Sequence, residues 1–171
     1  MLYRLHAVVA APEVLEPVVE RYPHARPSLL DGAELALVPI CDELFAAIDL
    51  EGFPVDPESG FARLSPGIAA VVTAASRRGP VAYLETDYVG DIGRQAAAVW
   101  LDCHRVYGPS LLVPGEPFPV AAPGALVGGS PVVEALRYLG VQGVGGRDEF
   151  VVLGLGRHRS TEQWCAAGVR L

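Results

Sequence analysis

The hydrophobic positions along this chain change period several times, and each change predicts an element. Leu2 to Val9 is an apolar, partly β-branched run that reads as a first strand. Pro12 suits the first turn of a helix, which predicts a short helix over Pro12 to Arg21 with a break or kink at Pro17. Glu34 to Ile40 reads as a second strand. Asp42 to Leu50 has apolar residues at 44, 45, 47 and 48, a helical spacing. Ser65-Pro66 pairs a capping hydroxyl with a first-turn proline, so a helix is predicted from there through Arg77-Arg78 to the stop at Gly79-Pro80.

Val81 to Val89 and Arg94 to Asp102 then read as two strands around a turn at Gly90-Asp91-Ile92-Gly93, with Val106 to Val113 as a third. Pro114 to Gly129 holds four prolines and four glycines and reads as an extended loop. Ser130-Pro131 opens another helix, which Gly140 stops. Glu149 to Leu155 reads as a last strand, and Ser160 to Gln163 has capping-box spacing for a final helix. The order does not alternate strictly. The expected fold is α+β, a single domain over residues 1–171, with a mainly antiparallel sheet and helices packed on one side.

The hairpin gives the sharpest geometric expectation. With a loop at 90–93, Val89 faces Arg94, Asp87 faces Ala96, Glu85 faces Ala98 and Tyr83 faces Trp100. Alternation then puts Tyr83, Glu85, Asp87, Arg94 and Trp100 on one face and Leu84, Thr86, Tyr88 and Val99 on the other. The second face is the more apolar near Leu84 and Val99, so it is expected to pack on the helices. Two readings of the first face stand side by side. It is a wet surface of acids and rings that contacts another protein, or it is a solvated hairpin face with one diagonal salt bridge. Two carboxylates so placed could also hold a cation or act as an acid/base pair.

Composition narrows the function. Of 171 residues, 51% are hydrophobic and 19% charged, enough for a core without a disulfide or metal framework. There is no lysine, so all 13 cationic side chains are arginines and no Schiff-base or phosphate-loop lysine exists. The formal net charge of −7 argues against a nucleic-acid partner and favours a basic one. No apolar stretch reaches the ~20 residues that span a bilayer, and no signal-peptide pattern opens the chain, so no membrane partner is expected. Cys41, Cys103 and Cys165 lie far apart without a CxxC pair, which fits reduced thiols in a cytoplasm. Cys41 just precedes a helix, where the dipole would lower a thiol pKa, but Asp42 and Glu43 oppose that.

Motifs of known chemistry are missing. The sequence holds no HExxH, GxSxG, GK[ST] loop or complete GxGxxG. Asp102-Cys103-His104 sets three potential ligands in a row, a spacing that seldom converges on one metal. No cofactor or metal is expected. The one further candidate is the turn at residues 154–164, where Arg157, His158 and Arg159 lead into the last helix, an arrangement suited to an anion. Solvated arginines beside a capped helix are the plainer account of the same residues.

The runs ELALVPICDEL, LSPGIAAV, GPVAYLETDYVGDIGRQAAAVW, EALRYLGV and DEFVVLGLGRHRSTEQW resemble a set of uncharacterised small proteins of GC-rich actinobacterial genomes, over about Glu34 to Trp164. That resemblance implies no activity and no site residue. In size and character the chain is also loosely similar to bacterial immunity proteins that neutralise toxins. The expected function is therefore a cytoplasmic, non-enzymatic protein-binding module, immunity-type in its sharpest form, using Tyr83, Glu85, Asp87, Arg94 and Trp100, with the 114–129 loop as a further contact. The alternatives are a small enzyme or anion binder at Arg157, His158 and Arg159 with Glu85 or Asp87 as base, and a domain that self-associates.

Overall fold

A computed structural model describes residues 2–90, 92–115 and 130–168. The extended loop expected from Pro114 to Gly129 lies outside the described residues beyond Gly115. Six strands form one sheet: β1 (Leu2–Ala10), β2 (Ser28–Leu29), β3 (Ala36–Pro39), β4 (Val81–Val89), β5 (Ile92–Leu101) and β6 (His104–Leu112). Their spatial order is β2-β3-β1-β4-β5-β6, and every neighbouring pair is antiparallel. The helices are α1 (Pro12–Arg21), α2 (Asp42–Ile48), α3 (Pro66–Ala75), α4 (Pro131–Tyr138), α5 (Glu149–Val152) and α6 (Thr161–Ala167). The α+β class and the antiparallel sheet are as expected. Among the described residues no helix is long and apolar enough to cross a membrane.

Side-chain oxygens start the helices where the sequence placed them. Ser65 Oγ accepts the Ile68 amide at 3.2 Å, Ser130 Oγ the Val133 amide at 3.4 Å, and Ser160 Oγ the Gln163 amide at 3.2 Å. Each satisfies one of the amides a helix start leaves open. The Gln163 side chain reaches one residue further back than a capping box requires and accepts the Arg159 amide at 2.7 Å. α1 continues through Pro17.

Helices lie on both faces of the sheet, not on one. Val8, Val38, Val81, Tyr83, Ala98 and Trp100 point into a core with α1, α2 and α3. Their strand neighbours Ala7, Val9, Leu37, Leu84, Ala97 and Val99 point the other way, against Val132 and Leu136 of α4, Leu153 and Trp164. The central strands are buried on both sides, so VAYL and AAAVW are continuous apolar runs where a half-exposed strand would alternate. At roughly 2 kcal/mol per fully buried aliphatic side chain, both faces need their cover.

The expected last strand at Glu149 to Leu155 is instead α5 followed by a single 3-10 turn, Leu155–Arg157. Asp148 Oδ1 accepts the Val151 amide at 2.9 Å and starts the helix, while Leu153 and Leu155 drop into the second core. Short apolar runs fit either geometry, and here the cap decides.

Candidate functional site

The β4–β5 register differs from the expected one by two residues. Val89 pairs with Ile92, so the pairing runs two residues closer to the turn than expected, and Asp87 faces Arg94, Glu85 faces Ala96 and Tyr83 faces Ala98. The cause is Gly93, which sits in β5 opposite Tyr88. A Cβ built there would stand 2.5 Å from the Tyr88 ring, so the glycine makes room for the ring to cross the strand. Because the slip is two residues, the parity holds: Tyr83, Glu85, Asp87, Arg94 and Trp100 do share a face.

That face is mostly not wet. Tyr83 and Trp100 are buried in the core beneath α1, α2 and α3, and Glu85 is only 3% exposed. The expected partner surface at Tyr83, Glu85 and Trp100 is therefore covered by the protein's own residues. The roof over Glu85 is the segment Phe61–Arg63. Its Oε2 accepts the Ala62 amide at 2.6 Å, and its Oε1 accepts the Arg63 amide at 2.7 Å and the Tyr83 hydroxyl at 2.9 Å. Arg94 lies 3.8 Å from Oε2 and donates to the Gly60 carbonyl. Phe61 meets the Tyr83 ring edge-on at 5.6 Å. Burial first, then the Glu85 charge and hydrogen bond, push the Tyr83 phenol well above its ordinary value.

Glu85 thus ties a loop to the sheet. Three donors occupy most of the four or so lone-pair sites of a carboxylate, which leaves it poorly placed as a base. His6 stands directly opposite on β1. Burial lowers its pKa, and Arg63 and Arg4 add to that, while Glu85 and Asp87 act in the other direction. Arg63 itself pairs with Asp42 and lies over the Phe45 ring at 5.3 Å.

One row further out the face changes character. Arg4, Asp87 and Arg94 form a charged row across three strands, with Arg4 and Asp87 paired at 3.2 Å. Beyond it, Leu2, Val89 and Ile92 stand opposite one another on the same side, 50%, 65% and 69% exposed. Of the five residues named from the sequence, Asp87 and Arg94 belong to this open part. Leu2, Val89 and Ile92 were missed because the two-residue shift in pairing was needed to bring Ile92 level with Val89.

The turn at 157–159 is knitted into the fold. Arg157 donates to Asp31 at 3.2 Å and to the Leu29 carbonyl at 2.9 Å, and lies 5.0 Å over the Trp164 ring. His158 meets Trp164 edge-on at 4.7 Å. The Arg159 carbonyl accepts the Arg4 amide at 2.9 Å, which holds this segment beside β1. Arg157 is committed to its own chain, so the expected three-residue anion site loses its first member. β1 lies between this segment and β4, the strand that carries Glu85 and Asp87.

Asp102 and Cys103 make the β5–β6 turn, both with positive φ (49° and 64°), and Leu101 pairs with His104. That is hairpin geometry of the primed type. Among the described residues no group of three His, Cys, Asp or Glu side chains could hold a metal ion. No known family model, curated protein or solved structure matches this chain.

Proposed function

We propose that the chain is a non-enzymatic protein-binding module whose contact surface is the open end of the β1–β4–β5 face. The observation that carries this reading is the exposed row Leu2, Val89 and Ile92 bordered by Arg4, Asp87 and Arg94. A small apolar centre with a charged rim is how specific protein contacts are built. The net charge of −7 favours a partner with a basic surface. A basic toxin held by an immunity-type protein is the narrowest form of the reading. Free thiols at Cys41, Cys103 and Cys165 support a cytoplasmic setting.

The test is capture from the source cell's lysate with the wild-type chain beside a Val89→Ser, Ile92→Ser double variant. Both positions are exposed, so the fold tolerates the change. A partner held by the wild type and lost by the variant supports the reading. A partner retained equally by both removes this surface.

A further inference from the structure

Away from that face, a cavity of about 420 Å³ lies between the start of α2, the segment after α1 and α6. Cys41 and Cys165 both line it, together with His24, Arg26, Glu43 and Glu162. Cys41 is buried at the N-cap of α2. Cys165 comes from α6, is half-buried, and packs against the core that contains Cys41. Burial first, and then the Cys165 side chain, raise the Cys41 thiol pKa. The neighbouring Trp164 points into the opposite core, so α6 reaches both sides of the sheet. Gly168, at the end of α6, abuts the Arg26 carbonyl so closely that an added Cβ would stand 2.6 Å from its oxygen. Two cysteines more than a hundred positions apart in sequence therefore meet at the wall of one solvent-reaching hollow, which the sequence spacing does not show.

We propose that Cys41 and Cys165 form a thiol–disulfide exchange site for low-molecular-weight disulfides, closing to an internal disulfide that ties α6 to the start of α2. The cavity lining carries both signs of charge, Arg26 and His24 beside Asp42, Glu43 and Glu162, and so offers partners for both the carboxylates and the ammonium groups of a small disulfide such as glutathione disulfide. The more accessible Cys165 thiolate attacks one sulfur of the small disulfide, giving a mixed disulfide and releasing one thiolate, which takes up the proton Cys165 lost. Cys41 then displaces the second small thiol, and its own proton passes to that leaving group. Two protein S–H bonds and one small S–S bond are consumed; one protein S–S bond and two small thiols are formed. Burial pushes the Cys41 thiol up to about 12, so it is the resolving sulfur and the first attack belongs to Cys165. Cys103 sits apart on the β5–β6 turn, its sulfur accepting from Arg77 at 3.0 Å, and serves as an internal control.

The experiment treats the reduced, folded chain with glutathione disulfide, blocks the remaining thiols and maps the peptides without reduction. The expected product has a Cys41–Cys165 cross-link, so that two of the three thiols disappear as an internal pair. Cys165→Ser, with Cys165→Ala as a second variant, leaves Cys41 a free thiol. The proposal is overturned if Cys165 stops at the mixed disulfide while Cys41 stays reduced, if Cys41 joins Cys103, or if Cys41 and Cys165 remain reduced unless denaturant is added.

Discussion

The Glu85 carboxylate accepts the Arg63 backbone amide at 2.7 Å while its own residue is buried in β4, and this contact joins the segment before α3 to the middle of the sheet. Much of the remaining behaviour of this face follows from it.

Glu85→Ala leaves the Ala62 and Arg63 amides and the Tyr83 hydroxyl without their acceptor. Buried donors left unmet cost about 1–3 kcal/mol each in the worst case, and partial relaxation of the loop brings the expected loss to about 3 kcal/mol. Glu85→Gln keeps one acceptor oxygen and is expected to lose about half as much. Urea unfolding of the three proteins measures both. Equal stability of Glu85→Ala and wild type would contradict the tie.

His6 makes stability depend on pH with a definite sign. Burial lowers its folded pKa, with Arg63 and Arg4 opposing protonation and Glu85 and Asp87 favouring it. The unfolded imidazole therefore binds a proton first as pH falls, which favours unfolding. The His6 contribution is complete above the unfolded value near 6.5 and is lost as pH falls from there through the lower folded value. Melting curves across pH 5–8 are expected to show wild type losing more stability on the acid side than His6→Gln. A steeper acid loss in the variant would reverse the sign.

Arg157→Ala separates a structural from an anion-binding role. The arginine pairs with Asp31, holds the Leu29 carbonyl and lies over Trp164. Half-exposed contacts of this kind sum to about 1 kcal/mol. A lowered melting point with no phosphate binding in either protein is expected by calorimetry. Saturable phosphate binding by the wild type that the variant lacks would restore the anion reading.

Gly93→Ala tests why the hairpin turns where it does. An added Cβ would meet the Tyr88 ring at 2.5 Å and the Asp87 carbonyl at 2.3 Å. Overpacking of this kind costs roughly 1–3 kcal/mol, and the loss is read as a lower unfolding midpoint. A variant as stable as the wild type would show that Tyr88 does not need the space.

How legible was all this in the sequence? Ser65-Pro66, Ser130-Pro131 and Ser160 announce their helices because a cap is a local event, and the structure keeps all three. The β4–β5 pair was legible as a hairpin and its face parity as alternation. Its register was not, because Gly93 reads as a turn residue until Tyr88 is seen lying across it. The burial of Glu85 was hidden for a different reason: the Ala62 and Arg63 amides that satisfy it are backbone groups, which carry no residue signature. The second helical layer was signalled by the unbroken runs at 81–84 and 96–100, a pattern of strands covered on both faces. The meeting of Cys41 with Cys165 depends on the docking of α6, a contact between distant parts of the chain that no local pattern encodes.

The outer row of the β1–β4–β5 face is the proposed contact surface, and Glu85 is the support beneath it. The direct measurement is the affinity of the captured partner for three immobilised proteins: wild type, Val89→Ser with Ile92→Ser, and Glu85→Gln. Removing two exposed aliphatic anchors is expected to weaken binding at least tenfold, about 1.4 kcal/mol or more, while Glu85→Gln binds within twofold of wild type below its melting range. Undiminished binding by the double variant, with loss confined to Glu85→Gln, would contradict the account.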